Sequence, residues 1–479
     1  MEDAQLRETD AYILRVEDLM CKEVVVCSAK QTIQEIARMM MIDRVSSVVV
    51  MEDKQPLGII TERDMVNRVV AVNYSAEQEA ATIMTRDPIS ISRSAFYYEA
   101  LSLMIIKGIK HLLVSDNQQL SGIIAMPDLL RKKNENMVKT TRRIENADVN
   151  TLVAVKPAIY EVLQMLLTEK IPINDTLSVI TTLYDRLMRR AVFLAVQSLE
   201  EEEGLIPPGK FNFYTMGSAG RGEQFILTDQ DHFLVYEEHP LSRFYFQQLG
   251  EKLVSFLERA GYARCKGLMM CSEPQWRGTV MEWEGRVHKW ATMPTNDHML
   301  LANNFFTYRL IYGDYTLHKQ FQQQLSQILD TATLFLYQMA AWERQHPVKT
   351  LHAPLLSLFK RSKKSIDLKK DVLFPYHHSL QILSLIHHVH EGTPFERLAA
   401  LAEKGVLENG FAKDVKDAMN QILDFYVRLR WQQAKTESES STVLLLSSLT
   451  EREREELAIG LRIIKELQNK IFYQFNMKV

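Results

Sequence analysis

At 479 residues the chain is too long for one ordinary core, so roughly two to four domains are expected. A hydrophobic share of 46% with 24% charged residues is a globular composition and excludes general disorder, and a formal net charge of −3 gives no global pull toward nucleic acid or anionic membrane. No apolar run approaches the roughly 18 residues that cross a bilayer, the acidic start Met1-Glu2-Asp3-Ala4 lacks the apolar stretch of a secretory leader, and the four cysteines, Cys21, Cys27, Cys265 and Cys271, stand at C-x₅-C spacings that fit neither a zinc ribbon nor a redox motif. The expected setting is a reducing cytoplasm, with no nucleic-acid or membrane partner.

The first pattern along the chain is a repeat. Segments opening at Val16 and at Ala80 each run through a short Met-containing helix, a brief strand, an apolar-periodic helix and a β-branched strand. A polar turn, a strand at Gly58-Ile59-Ile60 or Gly122-Ile123-Ile124, and a helix led by Asp64 or Asp128 complete each copy. A unit this small buries little core alone, so the two copies are expected to pack together.

This order resembles a CBS pair. The motif G-h-h-T-x-x-D is complete in the first copy, at Gly58, Ile59, Ile60, Thr61 and Asp64, whereas the second carries Ala125 where the Thr belongs and keeps Asp128. In CBS modules that bind adenosine nucleotides the Thr hydroxyl reaches phosphate and the Asp takes ribose hydroxyls, chemistry that suits an acceptor-only carboxylate. The resemblance therefore implies a regulatory site for AMP, ADP or ATP at Thr61, Asp64 and Asp128. A purely structural pair, with Thr61 as a helix N-cap, is the other reading. CBS pairs commonly stack into discs, which implies a homodimer.

Helical periodicity follows from Lys132 to Leu199, ending in the acidic run Glu200 to Glu203, Gly204 and Pro207-Pro208-Gly209. A strand at Phe211 to Met216 then leads into Gly217-Ser218-Ala219-Gly220-Arg221-Gly222-Glu223-Gln224. Thr228-Asp229-Gln230-Asp231 and the strand Phe233 to Tyr236 come next. A Gly-Ser turn after a strand lets backbone approach a polyphosphate, with Ser218 adding a hydroxyl donor. Asp229 and Asp231, two apart, present both carboxylates to one face and suit the Mg²⁺ ions of an in-line nucleotidyl transfer. Arg221 can neutralise phosphate charge.

The ordered set G-S-x-G-R-x-E followed by D-x-D resembles the polymerase-β type nucleotidyltransferase head, in the form found in PII-protein uridylyltransferases. Cys265, Gly267, Met270, Pro274, Trp276 and Arg277, then Phe305-Phe306, Arg309 and Gly313-Asp314, are similar to later blocks of a bacterial family that joins CBS pairs to such a head. The resemblance implies a Mg²⁺- or Mn²⁺-dependent transferase acting on a nucleoside triphosphate. Gly217, Ser218, Arg221, Glu223 and Arg309 would bind nucleotide or phosphate, and Asp229 and Asp231 would hold metal. The acceptor is unnamed, a signalling protein being one candidate. Thr307 stands where the family usually carries Asp after the Phe pair. Asp297, upstream, is the candidate replacement for that third catalytic carboxylate. A nucleotide-sensing protein with a degenerate head is the alternative.

After Leu317 the pattern is helical to the end. Tyr426 and Arg430 fall in a stretch similar to a helical element of the same family. The cluster Lys360, Arg361, Lys363, Lys364, Lys369 and Lys370 reads as a solvated loop or phosphate-facing rim. His377, His378, His387, His388 and His390 lack an acid at zinc-ligand spacing, and Thr436 to Thr442 reads as a mobile loop. The expected architecture is thus an α+β multidomain chain. It comprises a tandem CBS pair of α/β modules (14–135), a helical linker (136–203), a polymerase-β-like head with a mixed sheet (204–318) and a C-terminal helical bundle (319–479).

Overall fold

The computed structural model describes residues 15–53, 55–116, 119–126, 135–351, 365–436 and 438–477. The chain divides into two compact units, Met1–Asn146 and Ala147–Val479. It is a mixed α and β protein, and among the described residues no helix is long and apolar enough to cross a membrane.

In the first unit the repeat folds twice into the same small sheet. Val26–Ser28 runs parallel to Ser47–Glu52, which pairs antiparallel with Gln55–Thr61. Ser90–Ser92, His111–Asp116 and Gln119–Ala125 reproduce that arrangement, and both hairpins bulge at the equivalent place, between Val50 and Met51 and between Val114 and Ser115. Each copy covers its sheet with an apolar-faced helix, Ile33–Asp43 or Tyr97–Lys107, the first opened by Thr32, whose side chain accepts from Glu35 N–H. The leading segments are exchanged between copies. Cys21 bridges to Ile123, while Thr85–Arg86 pairs with Gly58 and Ile59. Val49, Ile59 and Leu113 form a shared core cluster between the two sheets.

The exchange explains the two glycines of the repeat. A Cβ on Gly58 would meet the Met84 sulfur at 2.7 Å and the Thr85 carbonyl at 2.9 Å; one on Gly122 would meet the Met20 sulfur and the Cys21 carbonyl, both at 2.8 Å. Gly58→Val and Gly122→Val should therefore each destabilise this unit by about 1–3 kcal/mol, as overpacking against backbone does. Thermal unfolding of the full chain reads this directly; an unchanged first transition in either variant would contradict the exchange.

The second unit is built on a four-stranded mixed sheet. His232–Tyr236 lies between Arg277–Thr279, to which it is parallel, and Phe211–Thr215, which is antiparallel to it and also pairs with Arg309–Gly313. Phe233, Trp283, Phe305 and Phe321 pack an aromatic core under the sheet, with Trp283 stacked on Phe305 at 5.1 Å. The helices Val155–Thr168 and Ile173–Glu203, from the stretch read as a linker, brace this head. The Tyr160 hydroxyl accepts from Leu227 N–H at 3.0 Å, Thr181 donates to the Gly222 carbonyl at 2.9 Å, and Arg189 donates to the Ile311 carbonyl at 2.9 Å.

Helices Phe374–Ile386, Pro394–Glu403, Asn409–Lys435 and Glu451–Gln474 make the C-terminal bundle. It also contains a strand pair that helical periodicity does not reveal, Ser365–Asp367 against Val443–Leu445. Thr442, in the segment read as a mobile loop, ties that pair by donating to Asp367 at 2.6 Å.

Candidate functional site

The Gly-Ser turn and the D-x-D segment meet because their strands are neighbours. Thr215 pairs with His232 in the sheet, and Met216 N–H donates to the Asp231 carbonyl at 2.8 Å. Period-two alternation then sorts the side chains. Gln230 and His232 point inward: His232 Nδ1 accepts from Cys271 N–H at 3.2 Å, so its Nε2 donates to Gln230 at 2.9 Å. Burial holds that imidazole neutral, with its pKa down at about 3. Asp229 and Asp231 face the other way, into a cavity of about 410 Å³ that Gly217, Ser218, Arg221 and Glu223 also line.

Gly217 sits at φ +61°, and a Cβ there would lie 2.7 Å from Asp231 Oδ2, so the turn comes this close to the acid only as glycine. Its N–H is not free for phosphate, because it donates to Thr307 Oγ1 at 2.8 Å. Thr307 in turn donates to the Asn304 carbonyl at 2.6 Å. The residue that departs from the expected acid thus latches the turn. A Cβ on Gly220 would collide with the Thr307 carbonyl at 2.2 Å, so the same contact explains a second glycine.

The acids are held differently. Burial first, and then the Asp229 charge, raise Asp231 to about 6, against the Cys265 thiol and the cations Arg221 and Lys369. Asp231 Oδ1 is buried with no hydrogen-bond partner. Asp229, Asp231 and Cys265 bring donor atoms within 4.8 Å of one another. For Glu223 burial would raise the pKa, but His377 and Arg221 outweigh it and hold the carboxylate ionised below its usual range. It accepts from His377 Nε2 at 2.8 Å and from Arg221 Nε at 3.1 Å.

Two expected site residues are not in the lining of this cavity. Arg309 is not presented to the cleft: its guanidinium grips Asp185 of the helix Ile173–Glu203 through both carboxylate oxygens and donates to the Ala219 carbonyl at 2.8 Å. It braces the Gly-Ser turn from behind. Asp297 is not itself in the lining: it is exposed on the first turn of the helix Asn296–Phe305, one turn before Leu300, which does line the cavity. Among the described cleft residues the carboxylates are Glu223, Asp229 and Asp231, and Glu223 is already paired.

The opposite wall comes from the C-terminal bundle. Lys369, Phe374, His377, Tyr426 and Arg430 line it, with Ser440 and Thr442. Lys369 opens a π-helical turn, Lys369–Leu373, a distortion frequent at functional sites. Arg430 donates to Ser440 and leaves its Nε buried without a partner. The family resemblance implies a bundle, with Tyr426 and Arg430 in it, that shapes the acceptor side of the cleft, and the rim reading of the basic cluster touches Lys369; Phe374 and His377 have no such signal in the sequence. Lys360, Arg361, Lys363 and Lys364 fall outside the described residues.

In the first unit Thr61 and Asp64 face each other at the start of the helix Glu62–Met65. The Thr61 hydroxyl donates to Asp64 Oδ2 at 2.7 Å, Thr61 N–H donates to the same oxygen at 2.9 Å, and Arg68 lies 3.3 Å from Oδ1. Thr61 Oγ1 also accepts from Asp64 N–H at 3.3 Å, which is the N-cap geometry. Asp128 lies outside the described residues.

Comparison with known proteins gives matches to three families. Residues 157–297 match the one described as "Putative nucleotidyltransferase DUF294", residues 333–475 match "Putative nucleotidyltransferase substrate binding domain", and residues 16–71 and 80–135 match "CBS domain". An uncharacterized protein of Methanopyrus kandleri is 38% identical over 113 residues, 23% of this chain and 58% of that protein, so the chain spans little more than half of that relative. The uncharacterized protein YlbB of Bacillus subtilis is 32% identical over 124 residues, 26% of this chain and 84% of that protein. Among solved structures, a CBS domain protein from Pyrobaculum aerophilum complexed with AMP is 26% identical, covering 24% of this chain and 89% of its own, with a TM-score of 0.23.

Proposed function

The chain belongs to the CBS-domain proteins and joins its CBS pair to a DUF294 nucleotidyltransferase domain and that domain's substrate-binding companion, and we propose that its second unit transfers a nucleoside monophosphate from a nucleoside triphosphate to an acceptor, with Asp229 and Asp231 holding Mg²⁺ or Mn²⁺. The observation that carries this reading is the Asp231 oxygen that is buried without a donor beside a second carboxylate in the cleft. Leaving such a group unsatisfied costs about 1–3 kcal/mol, more when it is charged, and a cation between the two acids removes that cost. The donor set fits a divalent ion.

The ion supplies neutralisation of the triphosphate and of charge building on the departing pyrophosphate. The chain's own groups orient the reaction. Ser218 offers its hydroxyl to a phosphate oxygen, and Arg221, fixed in direction by Glu223, sets a positive charge beside it. Lys369 and Arg430 bring cations from the facing wall, and Phe374 and Tyr426 give a base an aromatic surface. The acceptor oxygen then forms a bond to the α-phosphorus as the bond to pyrophosphate breaks. Labelled triphosphates incubated with the chain, Mg²⁺ or Mn²⁺ and a cell lysate should leave label on an acceptor. The same incubation with Asp229→Ala should leave none.

A second reading, nucleotide sensing without turnover, draws on one observation: Thr307 occupies the expected acid position and its hydroxyl is engaged by the Gly217 N–H. Absence of label with all four common triphosphates, alongside metal-dependent binding, would favour it.

In the first unit we propose that an adenosine nucleotide binds at Thr61 and Asp64 and regulates the head. The free Thr61–Asp64 hydrogen bond would be traded for ligand contacts. Calorimetry of the full chain with AMP, ADP and ATP should show binding at this site that Asp64→Ala abolishes. Unaltered heat in the variant would leave Thr61 and Asp64 as a helix cap only.

A further inference from the structure

Cys265 lies against the acid pair, and its surroundings are arranged around sulfur. The loop that carries it turns sharply: Leu268 N–H donates to the Cys265 carbonyl at 3.0 Å, and Leu268 itself sits at φ +55°. That turn directs the backbone N–H groups of Gly267 and Met269 at the thiol, and a Cβ on Gly267 would stand 3.6 Å from Sγ. Burial and the facing Asp231 carboxylate nonetheless push the Cys265 pKa up to about 11, so without a cation the group is a thiol. Across from the sulfur stand Asp229 and Asp231, all three donors within 4.8 Å of one another. The Asp231 Oδ1 is buried and unpartnered, an independent sign that this corner is built to receive something positive.

Among the described cleft residues the other carboxylate is Glu223, and it is already paired to Arg221 and His377. Thr307 spends its hydroxyl on Gly217 N–H and the Asn304 carbonyl, and Asp297, exposed, is not itself in the cavity lining. We infer that Cys265 is the third protein ligand of the metal site, completing an O,O,S donor set that takes thiophilic divalent cations (Zn²⁺, Co²⁺, Cd²⁺) more tightly than Mg²⁺. The inference rests on the proposed role of Asp229 and Asp231 and adds sulfur to it. Thiolate is a soft ligand that Mg²⁺ avoids, whereas carboxylate with thiolate suits later first-row ions. On binding, a metal–sulfur bond forms and the thiol proton leaves to solvent, so no oxidant or reductant is involved. A shared ion at about 2.0–2.3 Å from each donor sits among atoms that already lie within 4.8 Å of one another.

Cobalt supplies a readout independent of activity. The full-length chain, in a Cys21→Ser background because Cys21 is an exposed thiol far along the sequence from this site, is titrated with Co²⁺ alone and followed in the near ultraviolet. The expected result is a thiolate-to-cobalt charge-transfer band that stoichiometric Zn²⁺ removes. Cys265→Ser should lose the band and weaken Co²⁺ at least about 10-fold. Cys265→Asp should bind without the band and shift preference toward Mg²⁺. Binding of Co²⁺ that depends on Asp229 but shows no band would overturn the sulfur ligand while leaving the acid pair in its role; the thiol would then only position Asp231. No binding of Co²⁺ would overturn both. The parent spectrum alone decides between band and no band should Cys265→Ser fold poorly.

Discussion

Asp231→Asn is expected to raise the melting temperature of the metal-free chain and to reverse that ranking once nucleotide and metal are added. Without an ion, the carboxylate is partly stripped of solvent, keeps Oδ1 without a donor, and faces the Asp229 charge. The amide removes the repulsion and brings an N–H of its own. A gain of about 1 kcal/mol, or roughly 2–4 °C for a unit of this size, is the expected scale. With Mg²⁺ and a triphosphate at about 100 times the dissociation constant, the parent should gain about 2.7 kcal/mol by linkage, and the variant little of it. Differential scanning calorimetry of both proteins under both conditions checks the inversion. A variant less stable in both would mean that Asp231 is a structural acid.

Removing Arg309 should weaken the second unit severely, and through stability rather than nucleotide affinity. Its guanidinium spans the head, joining Asp185 on the long helix to the Ala219 carbonyl in the Gly-Ser turn. Arg309→Met leaves Asp185, itself 8% exposed, as a buried charge without its partner. Breaking such a pair from one side costs about 3–5 kcal/mol. The double change Arg309→Met with Asp185→Leu should recover much of that loss, since an apolar pair of similar volume is often as stable as the ions. Urea unfolding of the single and double variants decides it. If Arg309→Met unfolded normally but bound triphosphate weakly, Arg309 would be a phosphate ligand and the brace would be wrong.

The parts of this molecule that the sequence exposes are those whose signal is local. The repeat is legible because the same apolar periods and the same Gly-Ile-Ile strand recur. Asp229 and Asp231 are legible as a one-face pair because strand alternation is strict over two residues. What stays hidden depends on partners far along the chain. The exchange of Met20 and Met84 between copies sets them against Gly122 and Gly58, and nothing near either glycine announces it. Arg309 looks like a phosphate ligand until Asp185, 124 residues earlier, is seen to hold it. Thr307 looks like a lost acid, yet its hydroxyl latches Gly217 from 90 residues away. His377 was one of five histidines with no distinguishing neighbour until the bundle placed it on Glu223, 154 residues away. The strand pair Ser365–Asp367 with Val443–Leu445 is three residues deep on each side, too short for a period to show.

The most direct measurement is calorimetric titration of the full chain with each common nucleoside triphosphate, with and without Mg²⁺ or Mn²⁺. It is best carried out in the Asp64→Ala background, so that adenine nucleotide at the first unit does not contribute heat. The account predicts binding of at least one triphosphate that needs the divalent ion and falls at least about 10-fold, 1.4 kcal/mol, in Asp229→Ala. Triphosphate affinity that is the same with and without metal, and the same in Asp229→Ala, would contradict it.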